Sequence, residues 1–279
     1  MEEKEETKEI KKYKLLNKSL GALSSGVVNL LILNGSPGMG KTRTTLDYLK
    51  KQKINYEYIS TYSTPLSFYK LLYKNRKKTI IVFDDLDSIN DSKIISMLKS
   101  ACWSSDGERI LNYHSTSPIL DKEGLPESFV LEANIILIFN HNFSGFEPIL
   151  DRGITLDLNF TFQEKIQILK SFQKKANIEE DVLKYVVENC NEANKNLSIR
   201  SLVILSDLKR GGYDFEDFAE EILKVDFEVQ DLINMSAEAW CSENYYTKRT
   251  YYRKLKTNNL LSPLKQKKKE LEKDKIQFE

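Results

Sequence analysis

The chain has 279 residues, 41% hydrophobic and 30% charged, and its 42 Lys and Arg nearly balance its 41 Asp and Glu for a formal charge of +1. That composition excludes disordered and collagen-like classes and supports one sizeable core plus a smaller one, while the balanced total names no global electrostatic partner. Cys102, Cys190 and Cys241, with only His114 and His141 beside them, form neither a disulfide framework nor a metal-ligand cluster and read as reduced thiols.

Residues 1–18 alternate Glu and Lys around no apolar centre, so they read as a solvated charged helix or tail without a secretory leader, and the cytoplasm is the expected compartment. The longest nearly apolar run, Val27 to Leu33, is broken by Asn29 and falls far short of the roughly 20 residues a spanning helix requires, so no membrane is expected. Short apolar runs then alternate with amphipathic segments. Leu30 to Asn34, Tyr56 to Ser60, Thr79 to Asp84, Ile135 to Asn140 and Ile154 to Leu158 read as strands, and Lys41 to Lys51, Leu66 to Lys74 and Asp91 to Trp103 as helices, with Asp91 a candidate cap. Alternation of this kind predicts a parallel sheet covered by helices on both faces. Arg109 to Leu131 interrupts it with a Gly- and Pro-containing insertion holding two short extended pieces, Ile110 to Tyr113 and Phe129 to Leu131. Past Phe162 only helical spacing remains, in Gln163 to Lys175, Glu179 to Asn189 and Ser198 to Lys209, before the break at Gly211-Gly212.

Gly35-Ser36-Pro37-Gly38-Met39-Gly40-Lys41-Thr42 fits the phosphate-loop pattern G-x-x-x-x-G-K-[ST], between a strand and a helix as that pattern requires. Its glycines let backbone amides turn onto phosphates, Lys41 reaches the terminal phosphates, and the Thr42 hydroxyl is a magnesium ligand. A buried strand ending in Asp84-Asp85 supplies the second half: Asp84 for magnesium, Asp85 to polarise the attacking water. ATP and magnesium are the expected ligands. The 43 residues from Lys41 to Asp84 leave room for a helix, a strand and a helix, which favours additional-strand ATPases over GTPases and small-molecule kinases.

With these motifs in place, residues Leu20 to Lys209 resemble an AAA+ ATPase, most similar to clamp loaders and to replication initiators and helicase loaders, of a phage, plasmid or other mobile-element type. The resemblance implies an α/β P-loop NTPase sheet sandwiched by helices at 19–160 and an all-helical lid at 161–212; beyond it the sequence reads as a helix-turn-helix-like region at 213–260 and a basic tail at 261–279. It places Asn140 as the first sensor, with Asn142 the fallback. Arg152, in Phe146-Glu147-Pro148-Ile149-Leu150-Asp151-Arg152, falls at the arginine finger, and Arg200, in Asn196-Leu197-Ser198-Ile199-Arg200-Ser201-Leu202, at the second sensor. A finger implies a homo-oligomer or related AAA+ subunits. The chain departs from the family in carrying Asp85 where Glu is commoner, and Asp-Arg-Gly where clamp loaders have Ser-Arg-Cys. No aromatic-hydrophobic-Gly pore loop stands at Thr61 to Leu66, which disfavours a protein remodeller.

The neutral total conceals a division. Asp214 to Glu243 holds ten acids and one base, a net of −9, and Tyr245 to Lys275 holds eleven bases and three acids, a net of +8. Ser236 to Arg253 resembles a helix-turn-helix in which Ala239 suits a close helix crossing, Asn244 supplies a left-handed turn residue and Thr247 caps the second helix. That helix carries Lys248, Arg249, Tyr251, Tyr252 and Arg253, residues suited to DNA, although aromatic packing with a solvated basic face, or a protein contact, fits the same pattern. The expected activity is ATP hydrolysis by an oligomer acting on DNA, of loader or initiator type. A nucleotide-dependent switch or scaffold with negligible turnover is the alternative.

Overall fold

The computed structural model describes residues 11–60, 64–77, 80–85, 91–103, 107–114, 119–140, 147–258 and 260–261. Two compact units divide the chain, Met1–Phe160 and Thr161–Glu279. The first runs α1 (Lys11–Ser24), β1 (Leu30–Asn34), α2 (Lys41–Lys51), β2 (Tyr56–Ile59), α3 (Pro65–Lys74), β3 (Ile80–Phe83) and α4 (Ser92–Cys102). It continues through β4 (Ile110–Asn112), α5 (Ile119–Lys122), β5 (Ser128–Val130), β6 (Asn134–Ile138), α6 (Glu147–Leu150) and β7 (Ile154–Asp157).

Five strands form one sheet in the order β2-β3-β6-β1-β7, and every neighbouring pair is parallel. β3 and β6 are buried at every position and β1 at all but Asn34, so they read as unbroken apolar runs because both faces are covered. The expected helix cap holds: Asp91 accepts a 2.8 Å bond from the Lys93 amide at the start of α4. β1 does not pair with β3. The strand between them is β6, and a parallel sheet puts the ends of all three on one edge.

Gly153, just before β7, is required by packing. A Cβ there would lie 2.4 Å from the Leu30 carbonyl oxygen and 2.7 Å from the Leu30 Cβ. We expect Gly153→Ala to lower stability by about 1–3 kcal/mol, the usual cost of overpacking. Urea denaturation measures it, and an unchanged midpoint would show that this backbone contact does not form.

Two features differ from the sequence reading. Lys11 to Ser24 is one helix that crosses the expected boundary at 18, and it buries Tyr13, Leu16, Leu20 and Leu23 on one stripe. It is a packed element of the first unit, not a solvated tail. The insertion is also anchored from within. β4 and β5 pair antiparallel, and the buried Arg109 donates to the carbonyls of Ala101 (3.1 Å), Ala133 (2.8 Å) and Glu132 (2.8 Å). Burial pulls the Arg109 guanidinium below its ordinary pKa, and these oxygens supply its hydrogen bonds.

The second unit is helical: α7 (Phe162–Phe172), α8 (Glu180–Asn189), α9 (Ile199–Arg210), α10 (Glu216–Leu223), α11 (Phe227–Asn234), α12 (Ala237–Asn244) and α13 (Lys248–Thr257). Capping boxes at Thr161 and Ser198 start α7 and α9. One core joins α7 to α10 through Leu169, Val182, Val186, Leu202, Leu205, Ala219 and Leu223. It therefore extends past the expected boundary at 212. A smaller core gathers Val229, Leu232, Trp240, Tyr251 and Leu255 from α11 to α13. The acidic and basic stretches meet here, through the ion pairs Lys248–Glu238 and Lys254–Glu228. All three cysteines are free, and burial pushes the Cys102 thiol up to about 12 and Cys190 up to about 11, so neither is a ready thiolate. Among the described residues no helix is long and apolar enough to cross a membrane.

Candidate functional site

β1 delivers the chain to Gly35, where a Cβ would fall 2.6 Å from the Leu158 carbonyl oxygen, so only glycine lets the loop leave the strand this close to the end of β7. Gly38 and Gly40 take left-handed backbone, with φ of 70° and 84°. Gly40 opens α2 with no side-chain cap, unlike α3, α4, α7 and α9. An uncapped helix start presents backbone amides and a partial positive charge to an anion.

Lys41 is only 4% exposed, and its ammonium donates to the carbonyls of Gly35 (2.6 Å) and Ser36 (2.9 Å) and to Asn140 Oδ1 (3.2 Å). Asn140 in turn donates from Nδ2 to Asp85 Oδ1 at 2.8 Å. Thr42 Oγ1 donates to Asp84 Oδ2 at 2.8 Å, and the Asp85 amide donates to Asp84 Oδ1 at 3.0 Å. Five residues chosen from sequence thus lie in one hydrogen-bonded chain, with Asn140 between the loop and the acids because β6 lies between β1 and β3. The fold is a parallel α/β sheet with a phosphate-loop motif at the end of β1 and the acid pair at the end of β3.

No family model matches the chain. It is 23% identical over 219 residues, 67% of each protein, to an uncharacterized 36.7 kDa protein from the nrdC–mobD intergenic region of Enterobacteria phage T4. In structure it is similar to the Thermotoga maritima RuvB Holliday junction branch migration motor, at 17% identity over 85% of this chain and 82% of that one, with a TM-score of 0.48. A single-residue mutant of the same motor matches with the same coverage and a TM-score of 0.49.

The donor set of this site fits magnesium and a nucleotide. Thr42 and Asp84 offer hard oxygens side by side, and magnesium characteristically takes one or two protein oxygens together with phosphate and water. Among the described residues no group of three or more His, Cys, Asp and Glu forms a separate metal cage. Asp85 has φ of 57°, a left-handed conformation that Asp tolerates better than most side chains.

Sequence reasoning missed three residues around the phosphate loop and the acid pair. Tyr58, on β2, donates to Asp84 Oδ2 at 3.0 Å, the same oxygen that Thr42 reaches. Burial, then the Asp84 carboxylate, raises the Tyr58 phenol above its ordinary pKa. Asn159 Oδ1 accepts from the Ser36 amide (3.1 Å) and hydroxyl (3.3 Å). Tyr13, stacked on Phe160 with centroids 5.5 Å apart, donates to the Met39 carbonyl, which ties α1 to the loop. A lone aromatic in register with Leu16 and Leu20 was the available signal for Tyr13.

Each of the other predicted residues is described within its own unit. Arg152 is half-buried and donates to the Lys99 carbonyl at 2.9 Å, near the carboxyl end of α4. Arg200 is exposed in the first turn of α9, where the helix dipole disfavours a cation. Asn142 and Phe146, and the pore-loop positions 61–63, lie outside the described residues. In α13, Lys248, Arg249, Tyr252 and Arg253 are exposed. Tyr251 is not: it is 6% exposed, packs on Trp240 and points its hydroxyl to the Leu232 and Met235 carbonyls, so it is a core residue and not a contact. The left-handed turn residue is Tyr245, with φ of 56° and ψ of 34°, and not Asn244.

Proposed function

We propose that this chain is a magnesium-dependent ATPase that assembles through its AAA+ unit and acts on DNA, as a loader or initiator in replication or in a mobile element. The observation that carries the reading is the hydrogen-bonded chain Lys41–Asn140–Asp85 beside the uncapped start of α2. ATP phosphates accept from the loop amides, and Lys41 exchanges the Gly35 and Ser36 carbonyls for phosphate oxygens. Thr42 and Asp84 would hold magnesium, which when bound would neutralise charge on the terminal phosphates. Asp85 accepts a hydrogen bond from the attacking water, and Asn140 orients Asp85 and that water. Arg152 reaches an adjacent protomer's nucleotide after leaving Lys99, and Arg200 reports the nucleotide to the helical unit. Loss of the terminal phosphate then changes every one of these contacts at once.

Asp85→Asn is expected to lower turnover by roughly 10²–10⁴-fold, the usual contribution of a positioned general base, while ATP binding persists. Phosphate release with and without DNA measures it. Stimulation by DNA supports the motor reading. Wild-type turnover no higher than that of Asp85→Asn selects the alternative, a nucleotide-dependent switch or scaffold, which the engagement of Arg152 within its own chain favours. DNA affinity should fall steeply with salt and be lost on truncation after Met235.

A further inference from the structure

We propose that the α12–α13 turn and the outer face of α13 form a stacking site for unpaired bases, so that single-stranded nucleic acid, not duplex, is the polymer held there. This rests on the reading of the segment as a nucleic-acid-binding element. Tyr245 occupies left-handed backbone although Asn244, which tolerates it better, is the adjacent residue. Its side chain is 95% exposed, so no packing among the described residues offsets that conformation. Along α13, Tyr251 and Leu255 face the core. The exposed residues Arg249, Tyr252, Arg253 and Lys256 recur at the three- and four-residue spacing of one helical stripe. Tyr252 is 54% exposed and its ring is held edge-on to Tyr251, with centroids 5.4 Å apart and planes at 82°. Half-exposed Tyr246, in the turn, is stacked on Trp240.

Charge narrows the ligand. Lys248 and Lys254 are paired with Glu238 and Glu228, whereas Arg249, Arg253 and Lys256 have no ion pair among the described residues. Lys248 and Arg249 also stand in the first turn of α13 without an acid, a placement the helix dipole disfavours. Three available cations suit a few phosphates. In a duplex the base faces are already stacked and only their edges are accessible, so exposed rings add little there. In a single strand every base offers a face, and ring stacking supplements a small number of phosphate contacts.

The test is fluorescence anisotropy of the full chain with a labelled thymidine oligonucleotide and with a duplex of equal length. The single strand should bind at least about tenfold tighter, and Tyr245→Asn and Tyr252→Leu should each weaken it by roughly 5- to 100-fold. The salt slope should be about −2 for three phosphate contacts and be unchanged by either tyrosine variant, whereas Arg249→Gln with Arg253→Gln should flatten it by about 1.4. Because Asn accepts the left-handed turn, Tyr245→Asn should not lower the melting temperature, which separates lost contact from lost fold. Tyr245→Trp should keep affinity, with its fluorescence quenched on binding. Duplex bound as tightly as single strand, with the tyrosine variants silent, overturns this inference and leaves the nucleic-acid reading standing. No binding of either polymer overturns the nucleic-acid reading itself.

Discussion

Lys41→Ala should reduce ATP turnover by at least about 10²–10³-fold, the loss typical when one preorganised donor to developing charge is removed. The effect has two sources. The ammonium that would meet the terminal phosphates disappears, and so does the donor shared by the Gly35 and Ser36 carbonyls and Asn140 Oδ1. The loop then loses an internal strut, and Asn140, which holds Asp85, loses its contact with Lys41. Binding of a fluorescent ATP analogue should weaken together with turnover, unlike Asp85→Asn, in which binding persists. A Lys41→Ala protein that binds and hydrolyses as wild type would remove the loop from the reaction altogether.

Arg152→Ala is expected to lower turnover by about 10³-fold or more if the arginine acts on a neighbour's nucleotide. It should also cost about 1 kcal/mol of stability through the lost bond to the Lys99 carbonyl. Mixing separates these effects. An Arg152→Ala protomer beside an Asp85→Asn protomer recreates one interface with an intact arginine and an intact acid, so the mixture should regain turnover that neither variant has alone. Full activity in Arg152→Ala, with only a lower melting temperature, would make Arg152 a helix-end strut and would remove the main argument for an oligomer.

The loop, the acid pair and Asn140 were legible because each lies at the end of a strand whose apolar run is unbroken, and a parallel sheet gathers strand ends on one edge. The 43-residue spacing pointed to an additional strand, but which strand lies between β1 and β3 is a property of spatial order. Tyr58 and Asn159 were invisible for the same reason, since they meet their partners across 26 and 123 residues. The α1 stripe of Tyr13, Leu16, Leu20 and Leu23 was masked by the Lys and Glu that dominate any count of charge along residues 1–18. Tyr251 was misplaced because an aromatic among basic residues suits a contact and a core equally well. Only its register with Leu255, and Trp240 opposite, settles which face it takes. The turn was misassigned by one residue because α12 extends through Asn244, leaving Tyr245 to reverse the chain.

With no side chain at 153, the backbone carrying Arg152 rests on Leu30, the first residue of the strand that ends in the phosphate loop. The β1–β7 ladder continues that contact from Leu31–Ile154 to Asn34–Asp157. The turn that carries Arg152 and the phosphate loop are thus mounted on one frame, with little slack between them. In an assembly of such protomers the fit of each shared site would be set by how whole units are placed. A small rotation of one subunit would then be passed to the next site undiminished, because the turn has no room to absorb it.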